Sequence, residues 1–376
     1  MRVLATILGV LGTIVIVGSI VDSMLVARAK KSRLASFIGS FVLFVAKAPL
    51  RVLPSYRWRD RWLSGVAPVA MLLQLAIYGV LLIVTLGLWI FGVTDLSLGN
   101  SLYQSGSTFT TLGIVEPVNI PSTIITFVAA FLGLVVIAVF IGYLLALLGM
   151  YSDRETMISR LSADAGDPAW GPQILLRGAA LGRTPSETIP SAEWNNWMTQ
   201  VRTNTLTNPG LAMFRSSSPH RHWVIAIQAM LDATSLKMAI APKSATPDDV
   251  QLLSSGIVTL GILNRRTVHN WSTEEAVLKI LTGKADRTGS PTESLLADDE
   301  WKIGWDALCE MGVARPSAES SVKPMFLQLR ELYASDANTL ARKLHAIRAP
   351  WSGTRAFTEP VVFPESPRTR NGGTPS

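Results

Sequence analysis

Apolar residues in the first 150 positions do not recur at the spacing of a surface helix; they come in three unbroken runs. Val3 to Val21 is 19 residues without a charge, enough to cross a hydrocarbon core of about 30 Å at ~1.5 Å per residue. Val66 to Gly92 and Thr123 to Gly149 are also uncharged, and each exceeds the ~20 residues that a crossing needs. Beyond Tyr151 the pattern changes to helical periodicity broken by start signals. Ser218-Pro219 predicts a helix to about Ile240, Thr246-Pro247-Asp248-Asp249 one to Asn264, Ser272 with Glu275 a capping box, and Ser290-Pro291 with Glu293 a further helix before Gly312. Trp223, Ile227, Met230 and Leu231 recur at helical spacing and predict core rather than a cofactor box. No strand pattern competes, so the predicted class is an all-α membrane protein.

Composition agrees: 48% of residues are hydrophobic and only 16% charged, too apolar for an average soluble chain. The formal charge of +7 raises nucleic-acid binding as a class, but its location decides otherwise. Between Asp22 and Ser64 lie nine basic and two acidic residues, which accounts for the whole +7 excess. A short basic loop between apolar spans reads as cytoplasmic, and no nucleic-acid partner is expected. Val93 to Ser122 holds no Lys or Arg and only Asp95 and Glu116, so it is expected outside. The N-terminus is then external, the three spans alternate, and everything from Tyr151 onward is cytoplasmic, in a multi-pass protein of the plasma (inner) membrane. A cleaved signal peptide is the rival reading of Val3 to Val21, but the basic residues follow the run rather than precede it.

Leu34 to Ala46 is too short to cross and is bounded by Arg33 and Lys47. With Tyr56, Trp58 and Trp62 interleaved among arginines, it predicts an interfacial segment facing membrane lipids, anionic headgroups included. An amphipathic helix packed on the cytoplasmic region is the alternative.

The loop between the last two spans carries the candidate chemistry. Leu102, Tyr103, Ser105, Gly106, Phe109 and their neighbours are compatible with about two helical turns, and they are followed by Thr110, Thr111, Leu112 and Gly113. At membrane depth, non-helical backbone survives only inside protein or along a water-filled cavity, which a short re-entrant helix followed by an extended strand would satisfy. These residues, so placed between two spans, resemble the selectivity filter of the bacterial one-pore-loop potassium channels. The resemblance implies a passive cation channel that conducts potassium through backbone carbonyls, not an enzyme, with no cofactor beyond the permeant ion. One loop per chain implies a homotetramer. Thr110, Thr111, Leu112, Gly113, Ile114 and Val115 would form the filter, Thr111 matching its threonine, Leu112 its valine and Gly113 its first glycine. Ile114 and Val115 depart from the family's tyrosine and second glycine; Glu116 keeps an acid at the outer mouth. Gly133 matches the family's gating glycine, with Gly142 as runner-up; close helix packing is the competing explanation for either. The residues alone leave open a plain loop joining two anchors.

The expected organisation is an anchor at 1–27, a basic linker at 28–64, a pore domain at 65–150, a helical cytoplasmic region at 151–350 and a disordered tail at 351–376. Within the pore domain, the pore helix and filter occupy 98–117 and the inner helix 123–149. The run from Glu193 to Asp232 resembles the helical region that follows the pore in the same proteins. A lone Cys309 and four scattered histidines predict no metal centre, and His220 and His222 are read as a solvated loop.

Overall fold

The computed structural model describes residues 1–25, 36–37, 39–41, 44–45, 49, 56–284, 296–353 and 363. Part of the predicted interfacial segment, most of the basic loop, the helix start at Ser290 and most of the tail lie outside them. All secondary structure among the described residues is helical. Among the described residues, four helices are long and apolar enough to cross a membrane: Arg2–Met24, Tyr56–Val93, Ile120–Ala165 and Trp223–Ile240. Two compact units divide the chain, one holding Met1–Leu53 and Gly65–Met150, the other Pro54–Ser64 and Tyr151–Ser376.

The first unit is built from α1 (Arg2–Met24), most of α2 (Tyr56–Val93), α3 (Leu98–Phe109) and the first part of α4 (Ile120–Ala165). Its core is a column of apolar side chains that includes Ile16, Ile20, Tyr78, Leu82, Leu86, Ile90, Phe109, Ile125, Ala129 and Val136. α1 and α2 run antiparallel, because Arg2 near the start of α1 reaches the Thr94 carbonyl and the Asp95 carboxylate just past the end of α2. Between apolar helices in lipid there is little hydrophobic drive, so close backbone approach and polar contacts hold them together. Gly9 provides the first, since a Cβ there would strike the backbone of Thr85 and Trp89. Thr13 with Thr85 (3.1 Å) and Ser19 with Tyr78 (3.0 Å) provide the second. On α4 the residues facing away from this core, among them Phe127, Phe131, Leu134, Ile141 and Leu145, are exposed and apolar, which suits lipid or neighbouring chains and not water.

The second unit surrounds α7 (Trp223–Ile240). Against it pack α5 (Gly171–Ala180), α8 (Pro247–Leu263), α11 (Glu319–Glu331) and α12 (Ala334–Lys343); α6 (Ser191–Thr207), α9 (Asn270–Leu281) and α10 (Asp298–Glu310) form the outer layer. Every residue of α7 from Trp223 to Ala239 is buried. A helix enclosed on all sides is apolar all round, which makes α7 apolar enough by composition to cross a membrane although its hydropathy is well below that of the other three helices. Its polar side chains nevertheless have protein partners: Lys237 pairs with Asp249 at 2.8 Å, Gln228 donates to the Trp351 carbonyl at 2.8 Å, and Asp232 accepts from the Tyr333 hydroxyl at 2.8 Å. α7 is therefore a core helix, as the spacing of Trp223, Ile227, Met230 and Leu231 predicts. Trp170, Trp301, Trp305, Phe326 and Trp351 stack beside it with ring centroids 5.3 to 5.9 Å apart.

α8 starts at Pro247 with a Thr246–Asp249 capping box and ends on Asn264, as predicted. Two other starts are displaced. Ser218-Pro219 forms a turn closed by Arg221 N–H on the Ser218 carbonyl, and the helix waits until Trp223, with His222 as its cap. Ser272 lies inside α9, which begins at Asn270, and its hydroxyl donates to the His269 carbonyl instead of capping.

Burial pushes the Asp232 carboxyl up from 3.8 to about 6, against the pull of Arg330 and the Tyr333 hydroxyl. A folded-state value above the unfolded one means that the favourable contribution is complete below 3.8 and is lost as pH rises through about 6. Asp232→Asn should remove this dependence, so that wild type loses on the order of 3 kcal/mol relative to the variant across that window. Denaturant unfolding of both proteins in detergent, followed by tryptophan fluorescence at acid and neutral pH, measures it; parallel pH slopes would refute the assignment.

Candidate functional site

α3 inverts the usual arrangement of an amphipathic helix. Ser97 caps its first turn by accepting from Asn100 N–H, and its buried residues are mostly polar: Ser101, Gln104, Ser105, Ser107 and Thr108, with Phe109 at the end. Such burial is tolerable only with hydrogen bonds. Ser105 donates to the Ile83 carbonyl of α2 at 2.8 Å, and Gln104 donates to Thr126 of α4 at 3.2 Å. Tight contact follows from small residues on both neighbours. Gly87 of α2 lies under Leu102, and Gly133 of α4 lies so close under the Phe109 carbonyl that no Cβ would fit.

The chain leaves α3 through a Schellman-type stop. Thr111 N–H bonds the Thr108 carbonyl at 2.9 Å and Leu112 N–H bonds the Ser107 carbonyl at 2.8 Å, the paired bonds that close a helix through one left-handed residue. That residue is Thr111, with φ 60°, a conformation costly for a β-branched side chain. Gly113 follows with φ 66°. Its N–H also bonds the Ser107 carbonyl, at 3.1 Å, while Ile114 N–H bonds the Ser107 hydroxyl at 2.9 Å. The path after α3 is thus a tight turn and not the extended strand expected from the sequence.

Four consecutive N–H groups, from Thr111 to Ile114, are turned back onto the end of α3. The carbonyl oxygens of the same four residues accept no hydrogen bond among the described residues, and all four residues are exposed in the single chain. The turn therefore presents unmatched oxygen dipoles, next to a helix C-terminus that is itself partly negative. No Lys or Arg occurs from Val93 to Ser122 to oppose that field. Thr110 donates its hydroxyl to the Gly106 carbonyl at 2.8 Å, which fixes the side chain against the end of α3. Val115 is not left-handed, and Glu116 is exposed beyond it. α4 then begins with a reciprocal Asn119–Ser122 cap, and Asn119 also donates to the Val93 carbonyl at 2.9 Å, tying the loop's exit to the end of α2.

Thr110 to Glu116 thus lie together in one turn, whereas Gly133 lies behind it and serves the close approach of α3 to α4. α4 runs unbroken through Gly133 and Gly142. Ser107 and Gln104 were not legible as site residues; a serine three positions before the threonine pair becomes informative only once the turn folds back onto it. His222, expected in a solvated loop, is buried, and its Nδ1 accepts from Val224 N–H at 3.2 Å. In the second unit a cleft of about 750 Å³ lies between the start of α8 and α9, lined by Pro242, Thr246, Val250, Glu274 and Leu278 among others. None of its described lining residues has a buried side-chain polar atom without a partner.

Gly133→Ala should separate α3 from α4 and lower stability by about 1–3 kcal/mol, the usual result of overpacking. Gly142→Ala, where a Cβ meets nothing within 4 Å among the described residues, should change it by less than ~0.5 kcal/mol. Thermal unfolding in one detergent compares the two, and equal effects would contradict the contact described. Comparison with family models, with curated proteins and with solved structures gave no match for this chain.

Proposed function

We propose that the chain is one subunit of a passive cation channel, with potassium as the favoured ion, and that four copies surround the ion path. The single observation that carries this reading is the turn at Thr111–Ile114, where N–H groups face inward and carbonyl oxygens are left for a ligand. A ring of such oxygens replaces the water around a desolvated cation, and one chain supplies only part of a ring, hence the homotetramer. On this reading α1, the apolar part of α2 and α4 are the three spans, α3 is the re-entrant pore helix, and the second unit is cytoplasmic. The basic loop toward the cytoplasm and the absence of Lys and Arg from 93–122 support an external N-terminus and an inner-membrane location.

Thr111, Leu112 and Gly113 would form the inner ion sites, Ile114 and Val115 an altered outer part, and Glu116 an acidic mouth. The exposed faces of Phe127, Phe131 and Leu134 would meet lipid or neighbouring subunits. At the other end of α2, Arg57, Trp58, Arg61 and Trp62 are all exposed, with Arg61 over the Trp58 ring at 5.2 Å; indoles and guanidiniums together suit the interface and its anionic headgroups. A second reading, a weakly selective cation pore, is favoured by Ile114 and Val115. A non-conducting scaffold with a partner-binding cytoplasmic region is the third.

Purified protein in liposomes should pass potassium down its gradient, and Val115→Gly should raise the potassium-to-sodium permeability ratio measured from reversal potentials. A ratio unchanged by that substitution would count against an intact filter as the source of selectivity. Absence of flux at every voltage, pH and calcium concentration would favour the scaffold.

A further inference from the structure

Within the second unit, one short stretch of chain, Leu211 to Pro219, grips the ends of two long helices. On the α2 side, the Tyr56 hydroxyl donates to the Pro219 carbonyl at 3.1 Å, and Asp60 forms an ion pair with Arg215 Nε at 3.1 Å. On the α4 side, Arg154 donates to the carbonyls of Leu211 (3.0 Å) and Phe214 (2.8 Å), and the Tyr151 hydroxyl donates to the Arg215 carbonyl at 3.0 Å. The rings of Tyr151 and Phe214 pack with centroids 5.5 Å apart. Arg215 extends the link to the end of α12, donating to the carbonyls of Leu344 (3.2 Å) and His345 (2.9 Å).

These groups are enclosed: the side chains of Arg154, Arg215 and Asp60 are 3%, 5% and 13% exposed. Buried ion pairs add little net stability over apolar packing of the same volume. Guanidinium bonds to fixed carbonyls are, however, strong and directional, so this arrangement specifies position more than it adds stability. One guanidinium and two phenols aimed at the stretch from two helices far apart in sequence, with the Arg215 guanidinium reaching back from the stretch to Asp60, make it a rigid bridge.

We propose that Leu211–Pro219 is a coupling element, with Arg154 and Arg215 as positioning residues, that fixes the end of α2 to the adjoining part of α4 and conveys displacement of either, or of α12, to the other. Its consequence for conduction rests on the channel reading: the bridge would set the fraction of time the inner end of α4 stands open. The coupling itself is independent of that reading.

Hydrogen exchange on the full chain in lipid nanodiscs tests the coupling, and flux in liposomes tests its consequence. Asp60→Asn should speed exchange at 56–64 and also at 151–158 and 211–219, by about threefold or more, while 247–263 in α8 keeps its wild-type rate. Asp60→Glu, which keeps the carboxylate, should leave protection near the wild-type level, and Tyr151→Phe should loosen 56–64 from the opposite side. Changes confined to the mutated helix, or spread into 247–263, overturn the proposal. If wild type conducts, Asp60→Asn should alter the potassium flux without altering the potassium-to-sodium ratio; an unchanged flux beside the expected exchange pattern removes the link to conduction. A wild type that passes no ion defeats the channel reading alone, and the exchange pattern still decides the bridge.

Discussion

The turn that ends α3 hangs on Ser107, whose carbonyl oxygen takes the N–H groups of Leu112 and Gly113 while its hydroxyl takes that of Ile114. An N–H without a partner is costly wherever water is scarce, so these bonds hold the turn's shape against the strain of a left-handed threonine. The rest of the first unit can be understood as support for this point. Polar side chains of α3 face inward because they anchor it to α2 and α4, and glycines stand at the crossings because only bare backbone lets three helices approach so closely. The exposed carbonyl oxygens follow from geometry: once every N–H points one way, the oxygens point the other.

The second unit solves a different problem with similar means. α7 is apolar enough by composition to cross a membrane, yet it carries Gln228, Asp232 and Lys237 into the interior, each met by a side chain or carbonyl from another part of the unit. Such pairs restrict which helix packs where, since a slip of one residue would strand a charge among indoles. Its hydropathy is already lower than that of the other three long helices, and its enclosure and the partners of its polar residues set it further apart from a span.

How much of this was legible in the sequence differs by level. The three charge-free runs announce themselves because a bilayer demands length and the absence of charge, properties that need no tertiary information. The bounds of α8 were readable because Thr246, Pro247 and Asp249 act within one turn of helix. The displaced starts at Trp223 and Asn270 were not, because a serine can close a turn or donate to a carbonyl as readily as it caps, and tertiary packing chooses among these. The site divides in the same way: Thr110 to Glu116 stood out by residue type and spacing, whereas Ser107, Gln104 and Thr126 gain their roles from contacts that only the folded chain creates. Gly133 was legible as a glycine of interest, and its neighbour, the Phe109 carbonyl, shows what it accommodates.

That neighbour also limits how α4 can move. With a peptide oxygen seated against bare α-carbon, α4 cannot roll or slide at this level without carrying the end of α3 along, so the upper segment of the helix and the turn behave as one lever arm. Among the described residues nothing crowds Gly142 or Gly149 in the same manner. Any swing of α4 that leaves the turn undisturbed therefore has its fulcrum on the C-terminal side of Gly133.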